Sequence, residues 1–314
     1  MISKPTLIGV TAYIKPRQIS VIDLWDTARS GLSIKQTENL KNLKDNKHNG
    51  DLSAKSKRKL NTLIDWLVTS AKEKPIFDKK SGKTFKFKIN FVTLTIPISS
   101  KQLSESEVKK QLLNPWLVYA RKYFGLSNYV WKMEFTKKGT IHFHLTTDTF
   151  IHYNDLKRSW NFRLRASGLL DDYFSEHGHY DANSTDVHSV KNIKNVGAYI
   201  AKYMIKSAGE FKKACSRIWG CNYELSRALK CSIEIMNDEV SSEIRELMKK
   251  DVKYKLLERV SGTFNTVVNY GCIYFPTRAV WQRLKHTKIY ERLVNEVDRI
   301  RLNFKEMPES YYLI

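Results

Sequence analysis

The sequence contains no uninterrupted apolar run near the roughly eighteen residues that a membrane-crossing helix requires, and no secretory apolar segment at its start. Both absences argue against a membrane protein and lead to the expectation of a soluble, cytoplasmic chain. Cysteine is scarce as well. Cys215, Cys221, Cys231 and Cys272 are confined to the C-terminal third, with neither a Cys-x-x-Cys spacing nor a following histidine pair. A zinc finger or ribbon is therefore not indicated, and the four read as reduced packing residues. A Walker A loop is also missing. Ser81-Gly82-Lys83-Thr84 supplies the ending of that motif, but Phe77 stands where its first glycine belongs. Acidic residues are in deficit, 32 against 54 lysines and arginines, which leaves a formal charge of +22. A field of that sign attracts polyanions, so nucleic acid is the first candidate partner. An acidic membrane surface is its rival, weakened by the missing apolar run.

With 314 residues, 42% of them hydrophobic and 12% aromatic, the chain can bury a substantial core, and its length suggests about two domains. No internal repeat is evident. Near the start, Leu7-Ile8-Gly9-Val10 and Ile19-Ser20-Val21-Ile22 flank a Lys15-Pro16-Arg17 turn signal, the pattern of a β-hairpin. From Lys35 to Lys59 eight basic residues face three acidic ones with few apolar positions. That stretch reads as solvated, either a linker or a phosphate-contacting arm. Residues 1–88 are accordingly assigned to an N-terminal extension of hairpin, basic linker and helix.

Between Ile89 and Lys206 the pattern sharpens. Phe91 to Ile96 reads as a strand ending at Pro97, with Thr93 and Thr95 on one face. A helix opens at Ser104, with Glu107 in capping-box spacing, and stops near Gly125. A hairpin from Tyr129 to Thr146, a helix from about Asn154 to Ala166, a short strand from Thr185 to Val190 and a last helix from about Ile193 to Ser207 follow. The order β-α-β-β-α-β-α predicts an α+β fold: an RRM-like or ferredoxin-like antiparallel sheet with helices on one face. Residues 208–314 read as mainly helical and charged, Glu239 to Arg259 being the longest such stretch, and carry no assigned chemistry.

The hairpin carries the first chemical signal. Alternation puts Trp131, Met133, Phe135, Ile141, Phe143 and Leu145 on one face, and Lys132, Glu134, Thr136, His142, His144 and Thr146 on the other, which is expected to face solvent. A three-residue loop with Gly139 in the left-handed conformation pairs Thr136 with Thr140, and counting back sets Glu134 opposite His142. His144 lies two residues along that face. Two imidazoles and a carboxylate suit Mg²⁺ or Mn²⁺ with positions left open for water and substrate. Histidines alternating on an exposed strand are unremarkable alone, and it is Glu134 that raises the metal reading. Asp186 and His188, sharing a face of the last strand, are alternatives to Glu134 as third ligand. A second pair, His177-Gly178-His179, lacks alternating apolar neighbours and reads as solvated loop.

The last helix carries the second signal. At 100° per residue Val196, Ile200, Ala201, Met204 and Ile205 form an apolar arc, while Tyr199, Tyr203, Lys202 and Lys206 lie opposite. A partly buried aromatic pair is the common meaning of tyrosines at i, i+4, but here they fall off the core stripe. A phenol, with an ordinary pKa of about 10, needs help to ionise near neutral pH, and each tyrosine has a lysine three residues on.

Phe91 to Pro97, His142-Phe143-His144 and Tyr199-Ile200-Ala201-Lys202-Tyr203 resemble, in order, the three motifs of the HUH endonuclease superfamily. The two-tyrosine form with an intervening lysine is similar to that of rolling-circle replication initiators (Rep proteins) from microvirus-like single-stranded DNA phages and related plasmids. The resemblance covers about residues 89–206, so residues 89–207 are taken as the nuclease domain and 208–314 as a separate C-terminal region. It implies a metal held by His142, His144 and Glu134. One tyrosine nicks the origin strand and stays on its 5′ end, and the second resolves the replicated circle. Without a P-loop, strand separation falls to a host helicase, and synthesis to a polymerase, in a bacterial cytoplasm. Two other readings remain open: a non-catalytic RRM-like single-stranded nucleic-acid binder, served by the charge and by seven tryptophans, sixteen tyrosines and fourteen phenylalanines, and a transposase or relaxase of the same chemistry.

Overall fold

The structure is a computed structural model and describes residues 6–27, 51–79, 81–136, 138–189, 200, 202, 204, 214–235, 246, 255–261 and 266–302. Its elements, in chain order, are β1 (Thr6–Lys15), β2 (Gln18–Thr27), α1 (Ala54–Ser70), β3 (Lys74–Asp78), β4 (Lys83–Phe87), β5 (Asn90–Thr95) and α2 (Glu105–Val108). A π-helical turn (Lys109–Leu113) leads to α3 (Asn114–Tyr123), β6 (Tyr129–Phe135), β7 (Ile141–Thr147), α4 (Tyr153–Ala166), α5 (Asp171–His177) and β8 (Thr185–Ser189). Then come β9 (Trp219–Cys221), α6 (Tyr223–Arg227), β10 (Ser232–Ile235), β11 (Lys255–Ser261), β12 (Thr266–Tyr274), α7 (Arg278–Arg283) and α8 (Lys288–Leu302). The chain is α+β, and it forms two compact units: residues 1–47 with 230–298, and residues 48–229 with 299–314.

The second unit holds the central sheet. Its strand order is β8-β5-β7-β6-β9, all pairs antiparallel. The first four strands reproduce the 4-1-3-2 order of the βαββαβ arrangement expected from the sequence, and β9 extends it past β6. Val92, Leu94, Met133, Phe143 and Leu145 are buried on one face. Trp160 of α4 meets Phe143 edge-on at 6.5 Å and Trp116 of α3 at 6.3 Å. Both indoles are satisfied: Trp116 Nε1 donates to Ser159 Oγ at 3.0 Å, and Trp160 Nε1 to the Thr95 carbonyl at 2.9 Å. Wide aromatic area and paired polar tips together make this the anchor of the unit.

Helix α2 starts as expected. Ser104 Oγ accepts from the Glu107 N–H while a Glu107 carboxylate oxygen accepts from the Ser104 N–H. The π-helical turn has no counterpart in the sequence reading; Pro115, which has no N–H to give the carbonyl four residues before it, sits directly after it. The Ser81-Gly82-Lys83-Thr84 segment lies at the β3–β4 hairpin, where Gly82 takes φ +62°. At β9, a Cβ on Gly220 would sit 2.7 Å from the Trp131 indole, so the close approach of β9 to β6 needs a glycine.

In the first unit, Val10, Ala12, Ile14, Ile19 and Val21 are buried residues of the β1–β2 hairpin, which turns at Pro16-Arg17 as expected. The five-strand order here is β10-β1-β2-β12-β11. Part of the stretch expected to be helical, Lys255 to Arg259, belongs to β11; the rest of Glu239 to Arg259 lies outside the described residues except Glu246. Lys-Leu-Leu-Glu-Arg suits a helix by local propensity, but β12, rich in β-branched and aromatic residues, pairs with it from Lys255↔Ile273 to Ser261↔Val267, and long-range pairing overrides a weak local preference. The basic stretch Lys35 to Lys59 is described only from residue 51. Among the described residues no helix is long and apolar enough to cross a membrane.

Candidate functional site

The β6–β7 hairpin has the register that its loop dictates. Gly139 takes φ +78°, the Thr136 N–H donates to the Thr140 carbonyl at 2.9 Å, and Glu134 stands opposite His142. His144, two positions along, faces Lys132 on β6 and Thr93 on β5. Side chains on one sheet face and in adjacent positions thus come together from three strands.

His144 is held at both ring nitrogens, Nε2 to Glu134 Oε1 at 2.6 Å and Nδ1 to Thr93 Oγ1 at 3.2 Å, and Phe91 stacks on its ring at 5.3 Å between centroids. The other Glu134 oxygen accepts from Lys132 Nζ at 3.1 Å. His142 lies 6.3 Å from His144, centroid to centroid. Lys132 overturns one expectation, since it is 1% exposed and Thr146 is fully buried, although alternation assigns both to a solvent-facing side. A lysine so placed stays charged only beside a carboxylate, which Glu134 supplies.

Burial alone would push the Glu134 carboxyl up. The hydrogen bond and charge of His144, followed by those of Lys132, outweigh it and hold the group at about 2. His142 is pushed down, mainly by burial and then by the neighbouring His144, with Glu134 opposing. At neutral pH the first is a carboxylate and the second a neutral imidazole, so these two donors have no proton to shed on binding a cation. The donor set therefore suits Mg²⁺ or Mn²⁺. As placed, though, no three His, Cys, Asp or Glu side chains among the described residues form a ready-made cluster. His144 and Glu134 bond to each other and His142 stands apart.

Asp186 and His188 are not part of this group. Asp186 is opposite Thr93 and His188 opposite Phe91, so β5 separates them from His144, and they pair with each other at 2.7 Å. His177 ends α5 stacked on Tyr173 at 4.1 Å, with Gly178 capping the helix at φ +73°; both His177 and His179 are exposed. On the last helix, Ile200 and Met204 are buried and Lys202 is exposed, as the arc requires. Tyr199, Tyr203 and Lys206 lie outside the described residues. Cys221 is half-buried, and burial raises its thiol to about 11, which keeps it protonated and inert; Cys231 is buried and Cys215 exposed.

Three partners of the site escape a reading of the sequence alone: Lys132 as the buried cation, Phe91 as the stacking ring and Thr93 as the hydrogen-bond partner of His144. Thr93 is legible in part, since alternation puts it on the polar face; the same alternation puts Phe91 there.

Residues 89–208 match a family model described as replication-associated protein ORF2. No curated protein and no solved structure gives a significant match. The matched segment contains the four strands of the 4-1-3-2 sheet, the histidine pair with its carboxylate, and the positions of both tyrosines, and it supports a replication-initiator family for this chain.

Proposed function

We propose that the protein initiates replication as an endonuclease that nicks and rejoins single-stranded DNA at an origin through a covalent tyrosine intermediate. The observation that carries this reading is the meeting of Glu134, His142 and His144 on one sheet face inside the segment that matches a replication-associated family. Mg²⁺ or Mn²⁺, held by those three, would polarise a non-bridging oxygen of the scissile phosphate when bound.

The chain's own groups do the remaining work. Lys132 and Thr93 orient Glu134 and His144 from behind, the role that outer partners play around ligating side chains. Tyr199 or Tyr203 supplies the phenolic oxygen. It bonds to phosphorus as the P–O3′ bond breaks, the phenol loses its proton, and the leaving oxygen gains one to become a free 3′-hydroxyl. The 5′-phosphate stays on the tyrosine until a 3′-hydroxyl reverses the step. Lys202 and Lys206 neutralise phosphate charge. A host helicase and polymerase supply strand separation and synthesis.

Incubation with a single-stranded origin oligonucleotide and Mn²⁺ should give a covalent adduct. Retention of that adduct in a Tyr199→Phe, Tyr203→Phe double variant rules the mechanism out. A second reading, a non-catalytic RRM-like binder, is favoured by the direct Glu134–His144 bond and by the ring stack of Phe91 on the same face. Metal-independent binding without scission is its signature. A transposase or relaxase would give the same adduct on a different DNA site, which mapping the nick on the replicon distinguishes.

A further inference from the structure

The largest cleft of the second unit, about 1230 Å³, contains lysine and arginine already matched by carboxylates: Lys157 with Asp181 at 2.9 Å and Arg158 with Asp155 at 2.6 Å. A smaller cleft, about 520 Å³, belongs wholly to the first unit and differs in kind. It is lined by Arg17 from the β1–β2 turn, by Phe275 just after β12, and by Arg278, Trp281, Lys285 and Tyr290. No aspartate or glutamate is among its lining residues. From Thr277 to Lys288 the chain carries Arg278, Arg283, Lys285 and Lys288 and no carboxylate. Phe275 is 50% exposed, and Trp281 and Tyr290 are half-buried with ring centroids 6.4 Å apart.

An aromatic floor with a cationic rim is the arrangement that holds a strand of nucleotides, bases stacked on rings and phosphates on lysine or arginine. The faces of bases in a duplex are covered by their neighbours, so a stacking cleft selects single strands. We infer that this cleft is a second single-stranded DNA site, outside the segment that matches the replication-associated family. Phe275 and Trp281 receive a base, and Arg17, Arg278 and Lys285 hold the flanking phosphates. The binding needs no cleavage chemistry, so the inference stands or falls apart from the nuclease reading.

The test uses the full chain without added metal and a fluorescently labelled single-stranded oligonucleotide, read by anisotropy across a salt series. Arg278→Glu with Lys285→Glu should weaken binding by about tenfold or more. It should also flatten the salt slope by about 1.4, the loss of two single-strand phosphate contacts at roughly 0.7 each. Phe275→Ala should weaken binding by about fivefold or more with the slope unchanged. The conservative pair Arg278→Lys, Lys285→Arg should bind as the parent does, which guards against misfolding. A photo-crosslinking oligonucleotide should attach within residues 275–290. Unchanged affinity and slope in the reversal variant, or crosslinks confined to residues 89–208, overturn the inference. So does equal loss of duplex binding with no effect of Phe275→Ala, which would reduce the cleft to a general basic surface.

Discussion

Two carboxylate–histidine pairs stand on the same face of the central sheet, and they differ in almost everything except length. Glu134 and His144 meet at 2.6 Å with side chains 31% and 15% exposed; Asp186 and His188 meet at 2.7 Å with side chains 58% and 68% exposed. The inner pair has a buried lysine, a threonine and a stacked ring around it, and its carboxyl is held at about 2. The outer pair sits in water, where such an attraction is worth about 0–1 kcal/mol. The distance between two charges therefore says little about their role. What surrounds them decides how firmly they are aimed.

The comparison breaks most sharply in cleavage. His144→Ala should lower nicking more than about 100-fold, past the range seen for outer partners of ligating residues. Asp186→Asn or His188→Ala should lower it no more than about fivefold. The reverse ranking, measured by adduct formation at saturating Mn²⁺, would move the third ligand to β8. Next in size is stability against pH. Glu134 has a depressed carboxyl, so its contribution is present above its ordinary value of 4.5 and lost as pH falls toward 2. Glu134→Gln should remove up to about 3 kcal/mol of that dependence.

Asp148 gives the opposite sign. Burial raises its carboxyl to about 6 against hydrogen bonds from Asn128, and its Oδ1 accepts no hydrogen bond in the structure. The folded state thus holds a proton that the unfolded chain releases, and stability falls as pH rises from about 4 to 6. Asp148→Asn should flatten urea midpoints across that window, an effect on the order of 3 kcal/mol; a window unaffected by the change would show that the carboxyl titrates normally. The smallest effect tests the sheet edge beside the inner pair. Gly220→Ala forces the Trp131 ring or β9 to move, at about 1–3 kcal/mol in thermal unfolding.

The inner pair is legible in the sequence because its geometry is local. A glycine at 139 and two alternating strands suffice to put Glu134 opposite His142, and no distant contact enters. The 4-1-3-2 order is legible for a related reason, as short connections leave few alternatives. Lys132 is not, because burial of one polar position depends on what covers the sheet, and alternation carries no record of that. β9 is three residues long, too short for any periodicity. The sheet of the first unit is hidden by separation in sequence, since β2 pairs with β12 more than two hundred residues later, from Thr27↔Thr266 to Ile19↔Tyr274.

That last pairing has a consequence for synthesis. When the ribosome has made β1 and β2, the hairpin has no β10 or β12 beside it, and an isolated two-stranded hairpin is marginal in water. At about 5–20 residues per second, the wait for β12 is on the order of 10–50 s. Residues 48–229 are complete well before then. The nascent chain therefore has reason to form its central sheet first and to keep its opening hairpin unsatisfied, an edge available to chaperones, until the final third arrives.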